Sequence, residues 1–304
     1  MKPKVIVIVG PTASGKTDLS IRIAKEIDGE IISADSMQIY KKMTIGTAKP
    51  TEEEMQGIPH HMIDIIEPNE DFNVARYKCM AEEKIEEIIS RGKQPIIVGG
   101  TGLYVDTLIK GIEFFDIEND FEYRKKLEEE TAKNGVDWLF EKLEKIDPEA
   151  AKSIEENNIR RVIRALEIYK VTGKTKTQLD KESIKGSKFD YIIFGMLWNR
   201  DELYERINLR VDIMLQQGLV KEVQELLEKE GFSKTALQGL GYKEVVEYLE
   251  EKISYEDMIE KIKMETRRYA KRQMTWFNRN KDIIWLDAKN KEVLVKEVLK
   301  QLGN

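Results

Sequence analysis

The chain has 304 residues, 41% hydrophobic and 35% charged, with a net charge of −6. That is enough for a well-buried core in one large or two modest domains. No apolar run approaches the roughly 18 residues that cross a bilayer, and Met1-Lys2-Pro3-Lys4 leads straight into the first strand pattern. Neither a membrane span nor a signal or transit peptide is therefore expected, and the expected location is cytoplasmic. Cys79 is the only cysteine, which excludes an intrachain disulfide, and the helical pattern around it predicts an ordinary core position rather than a nucleophile.

In chain order, the apolar run Val5-Ile6-Val7-Ile8-Val9 predicts a strand. It ends in Gly10-Pro11-Thr12-Ala13-Ser14-Gly15-Lys16-Thr17, a complete G-x-x-x-x-G-K-[ST] phosphate loop. Leu19, Ile23 and Ile27 then fall on one helical face. Strand, loop and helix together aim backbone N–H groups and a helix N-terminus at a phosphate. The loop alone leaves open whether that phosphate belongs to a hydrolysed nucleotide, a kinase donor or another diphosphate. A second strand covers 30–35, a polar stretch runs to about Pro68, and a helix covers about 74–90. The third strand, Gln94 to Gly100, ends in glycines, and Leu103, Val105 and Leu108 mark the helix after it. Only helical periodicity is seen from 114 to 190. A strand at 191–197, a helix carrying Ile207, Val211, Leu215 and Leu219, and a short strand at 283–286 follow. The predicted fold is α/β: a P-loop core with a parallel sheet flanked by helices, built from 1–113 and 191–304. Residues 114–190 are predicted as an all-helical insertion.

Ligands of parallel sheets bind beyond the carboxyl ends of the strands. Three features converge there: the phosphate loop, Asp35-Ser36-Met37-Gln38, and Gly99-Gly100-Thr101-Gly102. Asp35 suits a general base, a metal contact or a helix cap. Thr101 suits a phosphate donor, a helix cap, or both. No acidic residue follows Val98, which argues against a nucleoside triphosphatase, since such enzymes hold magnesium with a carboxylate there. A kinase closing an arginine lid from 158–164 remains open. His60-His61 lacks acidic or cysteine partners at ligand spacing and is expected to be packed or substrate-lining.

The charge is segregated. Eight lysines and arginines lie between Lys261 and Lys281 against the single Glu265, and Arg160, Arg161, Arg164, Lys170, Lys174 and Lys176 form a second cluster. Acidic residues concentrate elsewhere, as at Glu52-Glu53-Glu54 and Glu128-Glu129-Glu130. The expected result is a basic face on an acidic protein, suited to a polyanion.

Eight ordered motifs, GPTASGKT (10–17), ISADSMQIY (32–40), GTAKP (46–50), HHMID (60–64), VGGTGLY (98–104), RRVIRALE (160–167), GLGYKE (239–244) and TRRYAKRQMTWF (266–277), resemble those of the bacterial tRNA dimethylallyltransferases, also called tRNA isopentenyltransferases, over nearly the whole chain. The resemblance implies transfer of a dimethylallyl group from dimethylallyl diphosphate to N6 of the adenosine 3′ of the anticodon, by a monomer that needs no membrane. It implies catalytic roles for Asp35, Lys16 and Thr101, and diphosphate or nucleotide (ATP) binding by Gly10 to Thr17. It also implies a Mg2+ cofactor held partly by Thr17. Contact with the tRNA anticodon loop is implied for Asp35, Ser36, Met37, Gln38, Thr101, Arg124, Ile159, Arg160, Arg161, Val162 and Ile163. Two alternatives stay open: a P-loop nucleotide or small-molecule kinase, which would have no use for the basic 261–281 segment, and a non-catalytic RNA-binding P-loop protein, which would not need Asp35, Lys16 and Thr101 together.

Overall fold

The computed structural model describes residues 2–302. The chain proceeds as β1 (Lys4–Val9), α1 (Lys16–Glu26), β2 (Gly29–Ser33), α2 (Glu52–Met55), β3 (His60–His61), α3 (Val74–Ser90), β4 (Gln94–Gly99) and α4 (Gly102–Lys110). Five helices follow: α5 (Phe121–Asn134), α6 (Val136–Ile146), α7 (Pro148–Ser153), α8 (Ile159–Thr172) and α9 (Lys176–Ser183). The chain then returns through β5 (Asp190–Leu197), α10 (Arg200–Gln216), α11 (Leu219–Lys229), α12 (Tyr242–Leu249), α13 (Tyr255–Phe277), β6 (Ile284–Asp287) and α14 (Lys291–Leu302). It divides into two compact units, one of residues up to Ile109 with those from Lys188, the other Lys110–Ser187. Among the described residues no helix is long and apolar enough to cross a membrane.

In the first unit the strands form one parallel sheet in the order β3-β2-β4-β1-β5-β6. Successive strand side chains point to opposite faces, and both faces are covered. Val5, Val7, Val9, Ile32 and Ile97 pack with Tyr77 of α3, Tyr242 of α12 and Phe277 of α13. Ile6, Ile8, Ile31 and Ile96 pack with Leu19 and Ile23 of α1 and Leu294 and Val298 of α14. Burial on both sides is why these strands are continuous apolar runs rather than alternating ones. The two-residue β3 is too short to carry a periodicity and was not expected. Cys79 departs from expectation: it is exposed. The buried face of α3 carries Tyr77, Ala81, Ile85 and Ile88, and at about 100° per residue Cys79 lies roughly 200° from Tyr77.

The second unit is a helical bundle around Leu127, Leu139, Leu143, Ala150, Val162 and Leu166. Its chain ends are joined by an antiparallel bridge between Ile112 and Ile184, with Glu113 N–H donating to Ser183 O at 2.8 Å. This pairing brings residues from Lys110 into the unit, so it starts and stops three to four residues before the expected 114–190. Val162 and Ile163, expected to face RNA, are instead core residues at 0% and 4% exposure. They sit on the apolar stripe of α8 and present no side chain to a ligand. Arg124 also turns inward. Its Nε and Nη2 fork onto the fully buried Glu167 at 2.8 and 2.9 Å, and Arg164 binds the same carboxylate at 2.6 Å. Asp120 N–H completes the set. Arginine and backbone donors hold the Glu167 carboxyl below its usual range against the opposing effect of burial. The exposed positions of the segment are Arg160 and Arg161.

Candidate active site

Register brings the loops together: Val9 of β1 lies opposite Gly99 of β4, and Ser33 of β2 opposite Val98. A Cβ on Gly99 would lie 2.2 Å from Ala34 O, so only glycine lets the β2 and β4 loops approach this closely. Thr101 N–H donates to Ala34 O at 3.1 Å, and Ser36 N–H donates to Thr101 Oγ1 at 3.0 Å. The Thr101 hydroxyl therefore faces Ser36 and, from α13, the Tyr269 phenol. Its carbonyl, not its side chain, starts α4, by accepting from Val105 N–H. Asp35 Oδ1 accepts from Met37 and Gln38 N–H at 2.9 and 3.4 Å, an Asx turn that fixes the carboxylate at the β2 tip.

The phosphate loop takes the expected form. Ala13 and Gly15 adopt φ of 61° and 89°, turning successive amides inward into an anion-binding nest. Ser14 Oγ is buried with no partner among the described residues. Three side chains brace the loop from outside. Trp198 Nε1 donates to Ser14 O at 2.9 Å, Arg206 Nε to Ala13 O at 2.9 Å, and Arg210 Nη1 to Thr12 Oγ1 at 3.3 Å. Lys16 Nζ donates to Pro11 O at 2.6 Å. Burial, then the Arg210 guanidinium, pull the Lys16 ammonium down to about 7, with Asp35 opposing. Burial also lowers Arg210, with Asp35 and Glu54 opposing. Two enclosed cations confronting each other form a site short of negative charge.

Two cavities meet at Asp35. The polar one is lined by Thr12, Lys16, Thr17, Gln38, His60 and Arg210. The other is largely apolar, with Met37, Ile207, Val211, Met214, Leu240 and Ile262. Asp35, Arg210 and Tyr269 line both. Ser36 and Met37 open on the apolar cavity. The Gln38 side chain is engaged elsewhere: its Oε1 accepts from Ser33 Oγ at 3.0 Å and its Nε2 donates to Thr47 and Ala48 carbonyls at 3.3 Å. It shapes the polar cavity and has little left for a base edge.

The two histidines part, as alternate strand positions must. His61 Nε2 pairs with Glu30 Oε2 at 2.7 Å, beside Arg91. His60 lines the polar cavity, and its Nδ1 lies 2.8 Å from Ile58 O. The basic stretch on α13 is partly paired by acids from other helices: Lys261 with Glu247, and Lys263 with Asp212 at 2.7 Å. Those partners are distant in sequence, so the stretch carries fewer unmatched charges than expected. Arg268, Lys271, Arg272, Arg279 and Lys281 are exposed.

The IPP transferase family model matches residues 38–280. The chain belongs to that family. The tRNA dimethylallyltransferases of Acetivibrio thermocellus and Thermoanaerobacter sp. strain X514 are each 53% identical to it, covering 93% and 100% of this chain and 91% and 98% of their own. A tRNA isopentenylpyrophosphate transferase from Bacillus halodurans, of known structure, shares 44% identity with a TM-score of 0.76, over 99% of this chain and 96% of its own. A eukaryotic dimethylallyltransferase acting on tRNA shares 34% identity with a TM-score of 0.78, over 99% of this chain and 77% of its own. The chain is accordingly an enzyme of the prenyl-transferring kind, and the kinase alternative falls away.

Arg210 and Tyr269 are among the lining residues that escaped the sequence reading. Arg210 lies on α10 in an ordinary charged helical pattern, and Tyr269 on α13 resembles a core aromatic. Burial pushes the Tyr269 phenol up, so it stays a hydrogen-bond donor at every working pH. No local spacing marks either one.

Proposed function

We propose that the chain transfers the dimethylallyl group of dimethylallyl diphosphate to N6 of the adenosine immediately 3′ of the anticodon in tRNA. A bond forms between N6 and the allylic carbon, the carbon–oxygen bond to the diphosphate breaks, and pyrophosphate leaves. The observation that carries this reading is Asp35 on the wall common to a cation-lined cavity and an apolar one. The exocyclic amine of adenine is a poor nucleophile, because its lone pair is delocalised into the ring. A carboxylate that takes its proton as the bond forms is what the reaction needs. Asp35 fills that role, with its Oδ1 anchored by two amides.

The diphosphate belongs in the phosphate loop. Negative charge growing on the leaving group is met by the loop amides, Lys16, Arg210 and the orphaned Ser14 hydroxyl, all fixed before reaction. The Tyr269 phenol lines the same cavity and faces Thr101, the other hydroxyl we assign to the leaving group. A magnesium ion suits the hard oxygens here, Thr17 and the diphosphate's own, and would offset the leaving charge. The adenine enters the apolar cavity flipped out of a weakly stacked loop, against Ser36 and Met37. Arg160, Arg161 and the exposed α13 cations meet the phosphate backbone. The proposed protein is a monomer that works in the cytoplasm beside its tRNA. The test is mass spectrometry of tRNA nucleosides after incubation with dimethylallyl diphosphate. N6-dimethylallyladenosine at that one position is expected, and unmodified tRNA would reject the proposal.

A further inference from the structure

We propose that Gln273 is the positioning residue of the diphosphate site, the side chain that fixes the phosphate loop against the Gly100 turn. This rests on reading that loop as the diphosphate site. Gln273 is 5% exposed and lies on the inner face of α13 with the apolar Ala270 and Phe277. An apolar side chain would fill that position with no desolvation cost. The amide instead makes two well-formed bonds to backbone far away in sequence. Its Oε1 accepts from Thr12 N–H at 2.9 Å, and its Nε2 donates to Gly100 O at 2.9 Å. One side chain thus ties together the loops after β1 and β4.

Two further observations fit this role. A Cβ on Gly100 would lie 2.1 Å from Gln273 Nε2, so the absence of a side chain at Gly100 makes room for the amide. One turn earlier on α13, the Tyr269 phenol faces both Thr101 and Gln273, so the strap is continued by the next inward side chain of the same helix. Thr12 N–H is taken by Gln273 and therefore is not a phosphate donor. What the bond does is set the orientation of the peptide leading into Ala13, and with it the direction of the amides that follow.

The test is kinetic and direct, on the whole chain. Gln273→Met fills the volume without either bond. It should raise KM for dimethylallyl diphosphate and Ki for inorganic pyrophosphate by about tenfold, the scale of a lost buried hydrogen bond, while KM for tRNA stays within about twofold. Gly100→Ala pushes the amide aside and should do the same, with no further loss in the double variant. Gln273→Glu keeps the shape. At pH 8 it opposes a carboxylate oxygen to Gly100 O and should bind pyrophosphate worse than wild type. As pH falls, the protonated acid donates to Gly100 O, and the ratio to wild type should close. Calorimetric titration with pyrophosphate needs no transfer, so it reads the strap even if the proposed reaction fails. Unchanged Ki and KM in Gln273→Met with only a lower Tm, or a pH-independent deficit in Gln273→Glu, would make Gln273 a packing residue and overturn the proposal.

Discussion

Lys16 gives the alkaline limb of the reaction a definite position. Its ammonium is pulled to about 7 by burial and by Arg210, whereas bound diphosphate would restore its charge by placing anionic oxygens against it. Only the protonated loop is competent to bind, so apparent affinity scales with the protonated fraction. That fraction is about one half at pH 7 and about 3% at pH 8.5, which predicts a roughly fifteenfold fall in kcat/KM for dimethylallyl diphosphate between them. The sign follows from a lowered cation: activity is retained below pH 7 and lost above it, by about tenfold per unit at the steepest. The assay is kcat/KM for dimethylallyl diphosphate against pH at saturating tRNA. Lys16→Arg, charged throughout this range, should lower the absolute rate but flatten the limb. A wild-type profile that stays level to pH 8.5, or a limb that survives in Lys16→Arg, would refute the reasoning.

Asp35→Asn keeps an oxygen for the Met37 and Gln38 amides but removes the base. Turnover should fall about a hundredfold or more with tRNA binding intact, and near-normal turnover across pH would remove Asp35 from the role. Neutralising Arg268, Lys271, Arg279 and Lys281 together should weaken tRNA binding and cut the slope of log K against log salt by about 0.7–0.9 for each RNA phosphate left without its cation. An unchanged slope in a filter-binding series would show that this face does not meet RNA. Glu167→Gln removes the charge shared by Arg124 and Arg164. Both arginines are about one-third exposed, so water recovers part of the loss, leaving roughly 1–3 kcal/mol of destabilisation. It should appear as a lower denaturant midpoint, and an unmoved midpoint would mean the network does not hold the bundle.

Legibility from sequence followed how local each signal was. The phosphate loop, the two other sheet-edge turns and the carboxylate at the β2 tip are each written within a few consecutive residues, and all are found together at the strand ends. Arg210, Tyr269 and Gln273 were not legible as site residues. Each reaches the loops from a helix more than 160 residues downstream of the phosphate loop, where helical spacing distinguishes faces but not what they face. The same limit explains the misread charges and faces. Glu167 stands in sequence among basic residues with nothing local to mark it, yet it is the buried centre of their network. Val162 and Ile163 lie in a motif shared with RNA-modifying enzymes, but the 3.6-residue period sends their side chains to the core. Asp212 and Glu247, which pair with Lys263 and Lys261, are neighbours only after folding.

The most direct measurement of the central claim follows pyrophosphate and modified adenosine together in one reaction of protein, unmodified tRNA, dimethylallyl diphosphate and magnesium, with ATP added in a parallel arm. The account predicts one pyrophosphate per N6-dimethylallyladenosine, loss of both on chelating the metal, and no phosphate released from ATP in response to tRNA. ATP is expected only to compete for the phosphate loop. Transfer of the ATP γ-phosphate to an acceptor, with dimethylallyl diphosphate inert, would contradict it.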